Sequence, residues 1–264
     1  MCGRGRVKLI DSTAVIDSSA ELASDVSVGP FSVIGANVRI DSGTVIGPHV
    51  VIKGPTCIGK QNRIYQYTSI GEDPQDKKYA GEITRLEIGD RNTIREFTSL
   101  HRGTKQDQGI TRIGNDNLFM AYTHVAHDCV IGSEVIMANG ASLAGHVRLN
   151  SHAILGGFTL VHQFTKIGQY SFAAMGSAIT QDIPPFVMVG GKPTRPHGIN
   201  SVGMERNGIS PEDIRLIRKA YKIIYKMNLR LEDAIDQMED LAGESKELSD
   251  MVSFLRNVSR GILR

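Results

Sequence analysis

The sequence predicts a mainly β protein, a parallel β-helix of very short strands followed by a C-terminal α-helical domain. Aliphatic side chains recur at every sixth residue over most of the chain, glycine often follows them, and the pattern stops near residue 180, where helical signals begin. A period of six matches neither the turn of an α-helix nor a long strand that alternates every two residues. It matches short strands separated by bends, with one large side chain pointing inward beside each bend.

The six-residue repeat runs in two blocks that differ by one residue in phase. The repeated position is apolar throughout, at Ile10, Ile16, Leu22, Val28, Ile34, Ile40, Ile46, Ile52, Ile58, Ile64, Ile70, Ile88, Ile94 and Leu100 in the first block, and at Ile113, Phe119, Val125, Ile131, Met137, Leu143, Leu149, Leu155, Val161, Ile167, Ala173 and Ile179 in the second. Three hexads close one triangular coil, so positions i and i+18 lie above one another in stacked coils. We expect the glycine after the repeated residue to allow a strained backbone at the bend.

The breaks in the repeat predict the organisation of the chain. The polar segments 71–87 and 101–112 interrupt the hexads and are expected to loop out of the prism, where long ordered loops are often functional. We expect an N-terminal tail at 1–9, the β-helix at 10–197 and a helical domain at 198–264. Ser210 is a typical N-cap, followed by Pro211 at the first helical position, and further helices are expected at 231–242 and 245–258.

Composition excludes several classes of protein. The net charge of +2 is too small to indicate binding to nucleic acid or to a membrane surface. The three cysteines, Cys2, Cys57 and Cys129, form neither a CxxC motif nor a disulfide framework, which fits a reducing compartment. The sequence contains neither a signal peptide nor an apolar run of the roughly 20 residues needed to span a membrane, so we expect a cytoplasmic protein.

One column of the prism is a candidate site. His127, Gly145 and Gln163 each lie one full coil apart and should stack on three successive coils. A base that removes a proton from a hydroxyl, and a backbone N–H that stabilises an oxyanion, are what acyl transfer requires. Spacing alone is equally compatible with three solvated surface residues.

Longer segments of the chain carry a family resemblance. They are THVAHDCVIG (123–132), ASLAGHV (141–147), GGFTLVHQF (156–164), IGEDPQDKKYAGE (70–82), IGDRNTIREFTSLHRGT (88–104) and RKAYKIIY (218–225). Together they resemble the UDP-N-acetylglucosamine acyltransferases of lipid A synthesis, within the hexapeptide-repeat acyltransferases. The resemblance implies a left-handed prism, a homotrimer with active sites between subunits, and transfer of a 3-hydroxyacyl group from acyl carrier protein to the 3-position of UDP-N-acetylglucosamine, without a cofactor.

The resemblance also implies roles for individual residues. His127 corresponds to the general base, Asp128 to its orienting partner and Gly145 to the oxyanion donor, with no covalent intermediate. Ligands of the sugar nucleotide and the acyl group correspond to His124, His146, His162 and Gln163, to Asp76 with its neighbours Gln75 and Lys78, and to Asn200 and Arg206. The family often has an acidic residue where Val202 stands and an arginine where Asn207 stands.

Two further expectations concern the acyl donor. Met175 occupies the position that ends the acyl groove in the family, and its bulk predicts a chain of about ten carbons, because it lies about 2.7 coils, roughly 13 Å, beyond His127. Met175 filling a gap between coils is the alternative interpretation. A basic stripe on the first long C-terminal helix is the expected dock for the acidic carrier protein, and it consists of Arg215, Arg218, Lys219, Lys222 and Lys226.

Three other functions compete with this one. A zinc lyase would use His124, His127 and His146, but these residues do not occupy equivalent positions on successive coils, and we expect no metal. A non-catalytic scaffold would not need the polar loops. The N-acyltransferase of the same pathway usually carries an extra N-terminal domain, for which the repeat, beginning at Ile10, leaves no room. The sequence does not distinguish a 3-hydroxyl from a 3-amino acceptor.

Overall fold

Very short parallel strands make up most of the chain in the computed structural model, which describes residues 9–243 and 245–264. All of the expected tail at 1–9 except Leu9 lies outside the described residues. The strands of the first coils are β1 Val15–Ile16, β2 Glu21–Leu22, β3 Ser27–Val28, β4 Val33–Ile34, β5 Val38–Ile40, β6 Val45–Ile46, β7 Val51–Ile52, β8 Thr56–Ile58, β9 Arg63–Ile64, β10 Ser69–Glu72, β11 Arg85–Ile88, β12 Thr93–Ile94 and β13 Ser99–His101. The later coils contain β14 Ile110–Ile113, β15 Leu118–Phe119, β16 His124–Val125, β17 Val130–Ile131, β18 Ile136–Met137, β19 Ser142–Leu143, β20 Arg148–Leu149, β21 Ile154–Leu155, β22 Leu160–Val161, β23 Lys166–Ile167, β24 Phe172–Ala173, β25 Ala178–Ile179, β26 Val187–Gly190 and β27 Arg195–Ile199.

Each third strand along the chain joins the same sheet, which gives the prism three faces. The first sheet has the order β1-β4-β7-β10-β13-β16-β19-β22-β25, the second β2-β5-β8-β11-β14-β17-β20-β23, and the third β27-β26-β24-β21-β18-β15-β12-β9-β6-β3. His124 pairs with Ser142, and Ser142 with Leu160, so the predicted stacking of positions i and i+18 is confirmed. We call the corner between the first and second sheets the first corner, that between the second and third the second corner, and that between the third and first the third corner.

The repeated apolar residues fill the interior of the prism, as predicted. From Val28 to Ile179 each of them is buried, and the largest, Phe119, has no exposed surface. Burial is incomplete only at the start of the repeat, where Ile10, on the first described coil, has 42% of its surface exposed because no described coil covers it. Full burial of such side chains stabilises a fold by about 1.5–3 kcal/mol each, so the interior column is the main source of stability.

The glycine that follows the repeated residue has a different role from the one expected. Gly29 and Gly47 do not have positive φ, whereas the non-glycine corner residues Tyr67, Asp128 and His146 do, at 60°, 60° and 62°. A Cβ on Gly29 would lie 2.7 Å from the backbone carbon of Gly47 on the next coil. The expectation of a strained glycine backbone therefore holds at Gly71, whose φ is 74°, and is wrong at Gly29 and Gly47. At these two positions glycine is needed because the stacked coils approach too closely for a side chain.

Both polar loops leave the prism at the first corner, on successive coils. Loop 73–84 joins β10 to β11, and loop 102–109 joins β13 to β14. The ends of the interrupted segments, Glu72 and Arg85 to Ile88, belong to strands, so the loops are shorter than the breaks in the repeat. The next turn at this corner contains His127. The fold therefore brings two long loops to the edge that carries the candidate site.

The chain leaves the prism through a β-hairpin and four helices. β26 continues the third sheet and pairs antiparallel with β27, which crosses the expected boundary at 197/198. The helices are α1 Ser201–Arg206, α2 Pro211–Lys226, α3 Leu231–Ala242 and α4 Lys246–Arg256. The Ser210 side chain accepts a hydrogen bond from the Asp213 N–H, which confirms the predicted N-cap, whereas α1 was not predicted. Within the described ranges, no helix is long and apolar enough to cross a membrane.

Candidate active site

A histidine and an aspartate adjacent in sequence form the centre of the site at the first corner. The Nδ1 atom of His127 lies 2.8 Å from Oδ2 of Asp128, whose side chain is 1% exposed. Asp128 has a positive φ of 60°, as do the other residues at its corner position. Because an ionised carboxylate can only accept, the Nδ1 atom carries the proton, and Nε2 is left free to accept one.

The Asp128 carboxylate is ionised in this environment. Thr104 donates to it twice, from its N–H to Oδ1 at 2.8 Å and from its hydroxyl to Oδ2 at 2.6 Å. Burial by itself would raise the pKa of Asp128, but the hydrogen bonds from His127 and Thr104 outweigh burial and hold the pKa below its usual range. A negative charge is thus fixed behind His127, where it can stabilise a protonated imidazole.

Gly145 lies directly against the histidine ring. A Cβ on Gly145 would be 2.5 Å from Cε1 and 2.8 Å from Nε2 of His127, so only glycine leaves room for the ring in this position. Within the described residues, the Gly145 N–H has no hydrogen-bond acceptor. The predicted column is confirmed, since the pairing of β16, β19 and β22 stacks the turns that contain His127, Gly145 and Gln163.

A second column of corner residues runs beside the first. His146 lies one coil beyond Asp128, and its Nδ1 atom is 3.0 Å from Oδ2 of Asp107 in loop 102–109. Its ring stacks on Phe164 with centroids 4.3 Å apart, and its Nε2 atom is 3.8 Å from Oδ2 of Asp128. His146 is therefore held between an aromatic ring and two carboxylates at the edge of the site.

A cleft of about 760 Å³ joins these residues to loop 73–84. Of the residues predicted from sequence, it is lined by Gln75, Asp76, Lys78, His127, His146 and Gln163. Asp76 closes its own loop turn, accepting the Lys78 N–H at 2.9 Å through Oδ1. The loop is anchored by the buried Arg102, which hydrogen-bonds to Asp73 and to the Tyr79 hydroxyl.

Several predicted ligands do not line this cleft in the single chain. His162 and Arg206 are exposed, and Met175 is 79% exposed at the third corner. Asn200 is buried and caps α1, accepting the Gly203 N–H and donating to the Tyr170 carbonyl. His124 lies on β16, which leads directly into the corner, and its Nδ1 atom contacts the Ser99 hydroxyl at 2.7 Å. The exposure of Met175 excludes the alternative in which it fills a gap between the coils of its own chain.

Some residues at the corner were missed by sequence reasoning. Thr104 and Asp107 belong to a loop outside the repeat, so no spacing marks them, whereas Phe164 could have been found because it lies one coil beyond His146. His101 is buried edge-on to His124, with ring centroids 5.0 Å apart. The pKa of His101 is lowered to about 4, mostly by burial and further by the charge of His124, so this ring is neutral near pH 7.

Three side chains at the corner could also hold a metal ion. The nearest ligand atoms of His127, Asp128 and His146 lie within 4.8 Å of one another. This set contains Asp128 where the zinc hypothesis from sequence had His124. Zinc bonds of about 2.0–2.2 Å would require the three ligand atoms to move closer together and the His127–Asp128 hydrogen bond to break.

The arrangement suits general-base catalysis on an acyl group. An acceptor hydroxyl in the cleft can give its proton to Nε2 of His127, and the Asp128 carboxylate stabilises the resulting imidazolium. Gly145 lies against the edge of the His127 ring that carries Nε2, and its N–H, which has no acceptor among the described residues, is available to an oxyanion.

Family models match both parts of the chain. The model described as bacterial transferase hexapeptide (six repeats) matches residues 19–54 and 110–145, and the model described as UDP-N-acetylglucosamine O-acyltransferase, domain 2, matches residues 182–263. The hexapeptide repeat and the fold of the similar structures confirm the predicted left-handed parallel β-helix with a C-terminal helical region.

Individual relatives are similar over almost the entire chain. An acyl-[acyl-carrier-protein]–UDP-N-acetylglucosamine O-acyltransferase of Alkalilimnicola ehrlichii is 54% identical, covering 97% of this chain and 99% of the relative. Crystal structures of UDP-N-acetylglucosamine O-acyltransferase from Moraxella catarrhalis and of its counterpart from Acinetobacter baumannii match with TM-scores of 0.96 and 0.95, at 44% and 47% identity, each covering 97% of this chain and 100% of the other. The chain therefore belongs to the UDP-N-acetylglucosamine O-acyltransferase family and is an acyltransferase.

Proposed function

We propose that the protein transfers a 3-hydroxyacyl group from acyl carrier protein to the 3-position of UDP-N-acetylglucosamine, the first step of lipid A synthesis, in the cytoplasm. The names of the relatives supply the donor and the acceptor. The observation that carries the proposal is the contact of Gly145 with the edge of the His127 ring that carries Nε2, in a cleft walled by two polar loops.

The reaction needs one proton acceptor and one oxyanion donor. His127 Nε2 takes the proton of the sugar 3-hydroxyl as its oxygen bonds to the thioester carbonyl carbon. The Gly145 N–H donates to the oxyanion of the tetrahedral intermediate. When the intermediate collapses, the carbon–sulfur bond breaks, and the proton held by His127 passes to the carrier thiolate. Neither a metal nor a covalent enzyme intermediate is required by this sequence of steps.

The acceptor is assigned to loop 73–84 and the far side of the cleft. Asp76, with Gln75 and Lys78 beside it, faces the same cleft as His127, which suits a carboxylate that holds sugar hydroxyls. Asn200 and Arg206 are proposed for the nucleotide, and His124, His162 and Gln163 for the remaining contacts. Since Asn200 already accepts the Gly203 N–H and donates to the Tyr170 carbonyl, a nucleotide would use the second N–H and the second lone pair of its amide.

A homotrimer is proposed because one face of the prism is charged and the other two are largely uncharged. Outward side chains of the second sheet include Glu21, Arg39, Glu87, Arg112, Arg148 and Lys166. Those of the other two sheets include the apolar Val15, Val33, Leu160, Val45, Leu118, Ile136 and Phe172, together with the polar Ser27, Arg63, Ser69, Thr93, Ser99, His124 and Ser142. At the third corner, the rings of Phe31, His49, Tyr67, Phe97 and Tyr122 stack in an exposed row. Burying both faces against neighbours would place the first corner of each chain beside another subunit. A solution mass three times 28.8 kDa would test it.

The carrier protein is proposed to dock on α2. Arg215, Arg218, Lys219, Lys222 and Lys226 are all exposed or half-exposed on this helix. Arg215 forms an ion pair with Glu212, while the other four have no carboxylate partner among the described residues. Four unpaired cations on one helix face provide the charge complementarity that steers an acidic partner.

The acyl chain is proposed to end at Met175. His127 lies at the first corner and Met175 at the third, so the two border one groove only if a neighbouring subunit covers the first sheet between them. A threefold axis parallel to the prism keeps the coils of all subunits at equal heights. The axial separation of about 13 Å is then the same whichever subunit supplies Met175, and an acyl chain that runs parallel to the prism axis over this distance has about ten carbons.

The activity is tested with purified protein and 3-hydroxydecanoyl carrier protein. UDP-N-acetylglucosamine and its 3-amino analogue are compared as acceptors, with release of the carrier thiol and the mass of the product as readouts. We expect an acylated sugar nucleotide with the hydroxyl acceptor. Thiol release without an acylated sugar nucleotide would contradict the proposal, and transfer only to the amine would change the acceptor while preserving the chemistry.

A further inference from the structure

Thr104 connects a loop outside the repeat to the His127–Asp128 pair. Its side chain is fully buried, and it supplies two of the hydrogen bonds received by the Asp128 carboxylate. Oδ2 of Asp128 is shared between the Thr104 hydroxyl at 2.6 Å and His127 Nδ1 at 2.8 Å. The threonine thus determines how the carboxylate is turned toward the histidine.

The carboxylate has an alternative partner close by. Nε2 of His146 lies 3.8 Å from the same Oδ2 atom of Asp128. The terminal torsion of an aspartate is broad, so a carboxylate without further contacts can rotate between two neighbouring imidazoles. Donors from Thr104 to both oxygens fix that torsion in favour of His127. The Asp128 N–H also donates to the Thr111 hydroxyl at 2.8 Å, but that hydrogen bond fixes the backbone and not the carboxylate.

Loop 102–109 is itself held in place on both sides of Thr104. Arg102 contacts Asp73 and the Gly54 carbonyl, and Lys105 forms a 2.6 Å ion pair with Glu82. Both of these acidic partners belong to loop 73–84. The position of Thr104 therefore depends on the loop that walls the cleft, which links that loop to the orientation of the base.

We propose that Thr104 is a positioning residue, which holds the Asp128 carboxylate against His127 and away from His146, a role that rests on the acyl transfer proposed above. Removing its hydroxyl leaves Oδ2 with one donor fewer and frees the carboxylate to rotate. The base is then less well oriented toward the hydroxyl from which it takes a proton.

The test compares Thr104→Val with Thr104→Ser in the acyl-transfer assay. The valine variant keeps the shape and the backbone N–H and loses the hydroxyl, and we expect kcat to fall about tenfold with little change in the KM of either substrate. The serine variant, which keeps the hydroxyl, should restore kcat.

A matched control separates this role from the loss of a buried hydroxyl in general. Thr44 is equally buried and donates to the Gly59 carbonyl, far along the prism from the site, so Thr44→Val should leave kcat and both KM values unchanged. If Thr104→Val fails to fold, Thr104→Ala is measured against Thr104→Ser in the same assays. A wild-type kcat in the variant without the hydroxyl would overturn the inference, whereas an inactive wild type would overturn the proposed function instead.

Discussion

Replacing Gly145 with alanine should displace the base without disturbing the prism. The added Cβ would lie 2.5 Å from Cε1 and 2.8 Å from Nε2 of His127. Carbon atoms in ordinary contact are about 3.5 Å apart, so the imidazole must retreat by about 1 Å. Its other side is hydrogen-bonded to Asp128, so the retreat also strains the bond that orients the ring.

The size of the effect follows from that displacement. A misplacement of about 1 Å at a reacting group can lower the rate about 10²-fold, which corresponds to about 2.7 kcal/mol of transition-state free energy. We expect this loss in kcat, with smaller changes in KM, because the cleft walls are untouched. The melting temperature should stay within a few degrees of wild type, since Gly145 has no positive φ and the clash is with one side chain.

Gly243→Ala is the matched control for this variant. Gly243 follows the last residue of α3 with a φ of −63°, and an added Cβ there would meet no atom of the described residues within 4 Å. Its kcat and melting temperature should equal those of wild type. Steady-state rates with 3-hydroxydecanoyl carrier protein and thermal melts of both variants provide the comparison. A Gly145→Ala enzyme with a kcat within twofold of wild type would refute the placement of His127 as the base.

Three further outcomes are expected. His127→Ala should lower kcat by about 10²–10⁴-fold while keeping the wild-type mass and melting temperature, and near-normal turnover would contradict its role as general base. Met175→Gly should shift the preference between 10-carbon and 14-carbon donors in a competition assay toward the longer chain, and a native preference for 14 carbons would show that Met175 does not limit length. Reversing the charges of Lys219 and Lys222 to glutamate should raise the KM for the carrier protein and flatten its salt dependence, with no change in the KM for the sugar nucleotide; an unchanged KM for the carrier would leave these lysines as a solvated helix face.

Much of the site was predictable because the fold is periodic. A six-residue repeat fixes the coil length, and the coil length places each residue beside the one that follows it by a full coil. His127, Gly145 and Gln163 could therefore be stacked from sequence, and Asp128, His146 and Phe164 follow the same rule. Where the register between coils is constant, the number of residues between two positions determines where they lie relative to one another in space.

That relation is lost wherever the chain leaves the repeat. Thr104 and Asp107, which hold Asp128 and His146, lie in a loop whose conformation depends on contacts with another loop and with the prism edge. No periodicity predicts such contacts.

The sequence by itself determined the prism, its inward column, the cap at Ser210 and the stacking of the candidate base on its glycine, because each depends on local chemistry repeated at a fixed interval. The tertiary structure decided the rest. It showed that repeat glycines such as Gly29 and Gly47 are needed for the close approach of neighbouring coils and not for backbone strain, because the distance between coils is set only when the chain folds. It also placed both loops at the corner of His127 and Met175 at a different corner, because corners are assigned only when the coils close and the strands are distributed among three sheets.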